Sequence, residues 1–231
     1  MMKSFIDREN EIFDILERFS KANLNYVLVG GYAVSAYMHR FSVDADVCIS
    51  KENFAKFKEI LHSRSFEPKK RRDLDDMYKG EFASFVNKDK LPVTVDLMIN
   101  SLGSRQTDAS FSFKQLFENS HEEKVVGIEK SILSRIPKKE LLIALKIHAA
   151  RMTDARDIVA LCDNVDFSII ANFVNRGAKE QLRKNIDSLI LYLRDKRFKD
   201  SFKGIFSIEK LPVDNINNAL KLLETLTKTI K

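Results

Sequence analysis

Apolar and polar positions alternate along the chain in two rhythms. Over residues 4–22, Phe5, Ile6, Ile12, Phe13, Ile15, Leu16 and Phe19 recur at helical spacing with charges between them, which predicts an amphipathic helix. Asn23 to Asn25 turn the chain into the apolar run Tyr26-Val27-Leu28-Val29, which reads as a short buried strand. Gly30 and Gly31 follow, and then an apolar segment over 32–39 that predicts a helix. Arg40-Phe41-Ser42 leads into a second strand over 43–49. Ser50, with Glu52 close behind, is a favourable helix start, continued by Phe54, Phe57, Ile60 and Leu61 to a stop near Pro68.

Lys69-Lys70-Arg71-Arg72 runs directly into Asp73-Leu74-Asp75-Asp76. Opposed charge blocks of this kind predict a solvated loop, although four adjacent bases can also meet phosphates. Residues 79–87 set Phe82, Ser84 and Val86 against Ala83 and Phe85, a strand pattern. Asn87 to Lys90 predicts a turn, and residues 93–99 its hairpin partner. A loop and a short helix around Phe113 to Phe117 occupy 100–120, and one or two short strands follow near 124–133. Pro137 opens a helix over 138–152, striped by Leu141, Leu142, Leu145, Ile147 and Ala149. Thr153 is placed to cap the next helix, and residues 166–230 read as helical, with Pro212 before the last segment. The pattern predicts an α+β chain: a mixed sheet with helices over 1–165, then a helical domain over 166–231.

With 231 residues, 44% of them hydrophobic, the chain can bury a substantial core. No apolar run reaches 18 residues and the N-terminal stretch lacks a signal-peptide core, so no membrane association is expected. Cys48 and Cys162 form no metal motif, which fits a reducing, cytoplasmic location. The net charge of +6 lies in residues 176–231, which hold 13 Lys/Arg against 7 Asp/Glu. Arg183, Lys184, Arg194, Lys196, Arg197, Lys199 and Lys203 could form a basic face for a polyanion such as RNA, or simply an ordinary Lys-rich helical surface. His39 and His148 lack the partner spacing of a catalytic or zinc-binding histidine.

The candidate chemistry lies in GGYAVSAYMHRFSVDAD, residues 30–46. On a strand, Asp44 and Asp46 project from one face while Ala45 and Val47 turn to the other. Two carboxylates this close repel each other, and a divalent cation relieves the repulsion. Mg²⁺ suits them, being held by one or two carboxylates together with substrate phosphates. Glycines without Cβ let an anion approach the backbone N–H groups. Asp96, inside the apolar strand VTVDLMI, needs a buried partner if structural and has one if it is a third metal ligand.

This pattern resembles the nucleotidyltransferase signature of the DNA polymerase beta superfamily, in which Gly-Gly or Gly-Ser after a strand precedes Asp-apolar-Asp on the next. Farther on, Lys146, Arg151 and Asp154-x-x-Asp157 before an apolar helix look like the downstream motifs of AbiEii-type nucleotidyltransferases, which include toxins. The resemblance covers about residues 24–165 and implies a nucleotidyltransferase-fold sheet there; the C-terminal helical bundle lies outside it. It implies transfer of NMP from an NTP to an acceptor hydroxyl, with Mg²⁺ or Mn²⁺ held by Asp44, Asp46 and Asp96, and Asp96 as the general base. Gly30 and Gly31 would cradle the triphosphate, with Arg40 or Ser42 reaching it, although Arg40 could equally cap the strand. Lys146 would contact phosphates, Arg151 and Asp154 would buttress the site, and Asp157 would be a catalytic or supporting acid. The plainer reading of these last residues is a helix-face lysine and acids favoured at a helix start. Gly31 departs from the serine of many relatives and removes one hydroxyl contact. Expected partners are the NTP, RNA such as a tRNA end or a protein acceptor, and an antitoxin-like protein. The alternatives are a small-molecule (aminoglycoside-like) nucleotidyltransferase and a non-catalytic nucleotide- or nucleic-acid-binding module.

Overall fold

The computed structural model describes residues 2–73, 80–87 and 92–230. The chain forms two compact units: Met1–Leu102 with Phe111–Pro137, and Gly103–Ser110 with Lys138–Lys231. This division falls at 137/138, whereas the sequence pattern places it at 165/166.

The first unit opens with helix α1 (Met2–Lys21), strand β1 (Tyr26–Val29), helix α2 (Gly30–Ser35) and strand β2 (Asp44–Ile49). A 3-10 turn over Lys51–Asn53 leads into α3 (Phe54–His62), followed by β3 (Phe66–Asp73), β4 (Glu81–Asn87) and β5 (Val93–Ile99). The five strands form one mixed sheet in the order β1-β2-β5-β4-β3, with only β2 and β5 parallel. Because alternate residues face opposite ways, Tyr26, Leu28, Ala45, Val47, Ile49, Val95 and Leu97 share one buried face. Helices α1 and α3 cover that face: the rings of Phe19 and Phe57 lie 4.7 Å apart, and both meet Tyr26. The other face carries Asp44, Asp46 and Asp96.

The chain passes between the units through the hairpin β6 (Ser101–Ser104) and β7 (Ala109–Ser112). Helix α4 (Phe113–Glu118) is closed by a capping box between Ser112 and Gln115. It precedes the antiparallel pair β8 (Ser120–Val126) and β9 (Ser131–Pro137). The second unit adds α5 (Lys139–Ala149), α6 (Met152–Leu161), α7 (Phe167–Val174), α8 (Lys179–Arg194), α9 (Phe198–Phe206) and α10 (Val213–Thr229). The α+β class and the mixed sheet flanked by helices and followed by a helical bundle therefore match the sequence pattern.

Several boundaries differ. The segment Lys69 to Arg72 is not a loop but part of β3: Lys70, Arg71 and Arg72 pair with β4, and Lys69 stands at a bulge; residues 74–76 of the expected loop lie outside the described residues. β3 is a sheet edge, so it can carry charge on both faces and tolerates Pro68, which sits where a bulge shifts the register. Helix α2 starts at Gly30 and stops at Ser35 rather than spanning 32–39. The Ser35 hydroxyl accepts from the Arg40 N–H at 3.4 Å and donates to its carbonyl at 2.8 Å, drawing the chain out of the helix. Ser50 makes no side-chain cap bond. Helix α6 is capped at Arg151 rather than Thr153, because the Asp154 carboxylate accepts the Arg151 N–H at 2.9 Å. Residues 88–90 of the turn expected after β4 lie outside the described residues.

Candidate active site

The site begins where β1 ends. Val29 pairs with Asp46 on β2, and Gly30 turns the chain at φ +67°, a conformation that suits glycine. A Cβ on Gly30 would overlap Asp46 Oδ2 and lie 2.8 Å from its Cγ. The Asp46 carboxylate thus rests directly on the glycine turn. The next glycine is crowded from another side: a Cβ on Gly31 would lie 2.7 Å from Ser42 Oγ and 2.9 Å from Arg40 Nη2. Arg40 Nη1 donates to the Phe41 carbonyl at 3.2 Å. Ser42 Oγ donates to the Asp44 carbonyl at 3.2 Å, and the buried Tyr32 hydroxyl donates to the Ser42 carbonyl at 2.8 Å. Gly30, Gly31, Arg40, Ser42 and Asp46 are therefore assembled around one turn.

Across the sheet, Asp46 is the register partner of Asp96 on β5, and Asp44 that of Thr94. Neighbouring strands lie about 4.8 Å apart, so the two carboxylates stand side by side on one face. Asp96 pairs in turn with Ser84 on β4, whose hydroxyl donates to Asp96 Oδ1 at 2.6 Å. Burial pushes the Asp96 carboxyl above its ordinary range and the Asp44 charge adds to this, while the Ser84 hydroxyl and Lys69 pull it down. Lys69 is the residue at the β3 bulge, and Lys70 pairs with Ser84. One cross-strand row thus runs Val29, Asp46, Asp96, Ser84, Lys70.

The fit to a divalent cation depends on its ligands. The row offers oxygen donors only, the chemistry Mg²⁺ and Mn²⁺ prefer. Among the described residues no three His, Cys, Asp or Glu side chains close around one point as they stand. Two adjacent carboxylates are enough for a magnesium ion that is also held by substrate phosphates. The donors therefore fit an ion that arrives with a triphosphate better than a resident one.

The other sequence-predicted residues lie in the second unit. Helix α5 ends at Ala150 in the left-handed conformation, and α6 starts at once. The break brings Lys146 Nζ to 2.7 Å from Asp157 Oδ2 and 3.3 Å from Asp154 Oδ1. All three side chains are buried, at 4%, 1% and 0% exposure. Arg151 Nε and Nη2 donate to Asp154 at 2.8 and 3.2 Å. Burial would raise the Asp154 carboxyl, but Lys146 and the Arg151 contacts outweigh it and hold it below the carboxylate range. The ammonium of Lys146 is thus engaged by two carboxylates.

Four of the basic residues of the C-terminal helices have partners within their own unit. Lys184 pairs with Glu180, Arg194 with Glu224 and Arg197 with Asp195, while Arg183 donates to the Ile230 carbonyl at 2.6 and 3.0 Å.

Two residues with a place in the site escaped the sequence reading. Ser84 is the one hydroxyl in the apolar core of β4, and only the β4/β5 register aims it at Asp96. Tyr32 sits inside the glycine segment and holds the Ser42 backbone.

The structure thus places a glycine turn under a strand carboxylate, beside a second carboxylate on the neighbouring parallel strand. The chain belongs to the uncharacterised nucleotidyltransferase family, whose sequence profile matches residues 8–190. Among solved structures, a Helicobacter pylori protein assigned provisionally as a nucleotidyltransferase shares the fold at 18% identity and a TM-score of 0.51, covering 98% of this chain and 96% of that one. JHP933 from Helicobacter pylori is similar at 18% identity and a TM-score of 0.50, covering 97% and 92%. The antibiotic-resistance factor ANT(2'')-Ia matches at 16% identity and a TM-score of 0.51, covering 71% and 88%. No curated protein matches the chain. Among the described residues no helix is long and apolar enough to cross a membrane.

Proposed function

We propose that the protein transfers a nucleoside monophosphate from an NTP to an acceptor hydroxyl, with RNA as the acceptor. The observation that carries this reading is the side-by-side placement of Asp46 and Asp96, with the Asp46 carboxylate seated on Gly30.

The residues divide the work by position. The missing Cβ atoms let the Asp46 carboxylate close on Gly30 and let Ser42 and Arg40 close on Gly31; the backbone of this turn would cradle the triphosphate, with Arg40 and Ser42 beside it as phosphate contacts. Asp44, Asp46 and Asp96 would hold a divalent ion. Bound with the triphosphate, Mg²⁺ or Mn²⁺ supplies charge neutralisation between carboxylates and phosphates and acidifies the attacking hydroxyl. The acceptor oxygen attacks the α-phosphorus. A new O–P bond forms as the bond from the α-phosphorus to the bridging oxygen breaks, and pyrophosphate departs. Asp96, beside Asp46 on the same face of the sheet, takes the hydroxyl proton.

Lys146, Arg151, Asp154 and Asp157 support the AbiEii-type assignment by their spacing. Their buried ion pairs favour a structural role for them, tying α5 to α6, over a direct phosphate contact.

The test is label transfer from each of four α-³²P-labelled NTPs with Mg²⁺ or Mn²⁺ into total RNA, tRNA included. Label in RNA that the Asp44→Ala/Asp46→Ala variant abolishes is the expected result. A folded protein that labels no RNA with any NTP would overturn the RNA reading.

A further inference from the structure

We infer that strand β3 is the acceptor flank of the site, and that Lys69 and Lys70 hold the phosphate backbone of an RNA acceptor beside Asp96. This rests on the proposed transfer reaction and adds to it the residues and charge that select the acceptor.

The sheet order gives the site two unlike sides. Gly30, Gly31, Arg40 and Ser42 cluster at the β1/β2 side, next to Asp46. Asp96 and Ser84 lie beyond, and β3 closes the far edge. A triphosphate on the glycine turn leaves the acceptor to approach from the β4/β3 side. That side is basic. Lys70 is in the same cross-strand row as Asp96 and Ser84, so it belongs to the carboxylate face. Lys69 sits at the bulge, a device that re-aims a side chain next to active sites, and its charge reaches Asp96.

Both lysines are exposed, and among the described residues neither ammonium has a carboxylate within ion-pair distance. Two strand spacings separate Lys70 from Asp96, about 10 Å between backbones. At about 3.4 Å per stacked nucleotide, that is two to three nucleotides of a strand whose terminal hydroxyl lies at Asp96. The same flank disfavours a polycationic acceptor such as an aminoglycoside by like-charge repulsion.

Lysines also appear on edge strands simply to block pairing with another sheet. That role needs charge of either sign, whereas phosphate binding needs positive charge, so charge reversal separates the two. The probe is a 5′-fluorescent single-stranded oligoribonucleotide, titrated by anisotropy at several salt concentrations. Lys69→Glu/Lys70→Glu should weaken binding at least about tenfold and lower the salt slope by about 1.4, at 0.7 per single-strand phosphate contact. Lys69→Arg/Lys70→Arg should bind RNA like the parent. A Glu variant that binds RNA with the parent's affinity and slope overturns the inference, as does transfer of label to kanamycin but not to RNA. Lysine-dependent RNA binding without any Mg²⁺–NTP binding would sink the transfer reading and leave this flank in place. Mg²⁺–NTP binding with lysine-independent RNA binding would sink this inference alone.

Discussion

Alanine at Gly30 makes two demands that the turn cannot meet. Its φ of +67° would cost an L-residue about 1–2 kcal/mol. The new Cβ would also fall on the Asp46 carboxylate, which must leave its rotamer at a cost of about 0.5–1.5 kcal/mol. The single variant should therefore lose about 2–3 kcal/mol, read as a lower urea midpoint at unchanged slope. It should also lose metal-dependent nucleotide binding, because the displaced carboxylate belongs to the proposed site. The two costs separate in a double-mutant cycle. In an Asp46→Ala background the overlap with the carboxylate is gone, leaving the backbone cost and a tight Cβ–Cβ contact of 3.0 Å, so Gly30→Ala should be about 1 kcal/mol less damaging there. A cycle with no coupling would show that Asp46 does not rest on Gly30, and the assembly of the site around this turn would be wrong.

Other parts of the structure carry their own tests. Lys146→Met removes the buried ammonium shared by Asp154 and Asp157, leaving Asp154 with Arg151, and should cost about 3–5 kcal/mol in urea unfolding; a loss below 1 kcal/mol would contradict the buried cluster. Ser84→Ala removes the donor to Asp96 Oδ1 and should slow label transfer about tenfold or more, with little change in the NTP concentration needed for half-maximal rate. His148, held at about 4 by burial and by the Arg176 charge, is neutral in the fold while the unfolded chain takes up a proton near 6.5. Stability should thus be flat above pH 6.5 and fall by about 3 kcal/mol as pH drops toward 4. A His148→Gln variant should show a shallower fall over that window.

Much of the first unit is legible because its signals are local. The glycine pair lies within seventeen residues of Asp46, and an aspartate in so apolar a strand as β5 announces itself. What was not legible depends on partners distant in sequence. β3 looks like a loop because its charges mimic one, and only pairing with β4 makes it a strand. Ser84 is an ordinary strand serine until the register with β5 aims it at Asp96. Lys146 reads as a phosphate-seeking lysine because its partners stand beyond a helix break. The left-handed Ala150 folds α6 back so that Asp154 and Asp157 meet it, and nothing in the local pattern specifies that turn. The basic tail looks like a polyanion surface by count, yet its arginines have acidic neighbours or a helix-end carbonyl.

The central claim is that Asp46, Asp96 and the glycine turn form one site for a metal-bound triphosphate. Equilibrium binding of each NTP, with Mg²⁺ and with EDTA, to the parent protein and to Asp46→Asn and Asp96→Asn tests it most directly. The account predicts tight binding of at least one NTP only with Mg²⁺, and loss of the Mg²⁺ dependence in both variants. Binding indifferent to Mg²⁺, or unchanged in both variants, would contradict it.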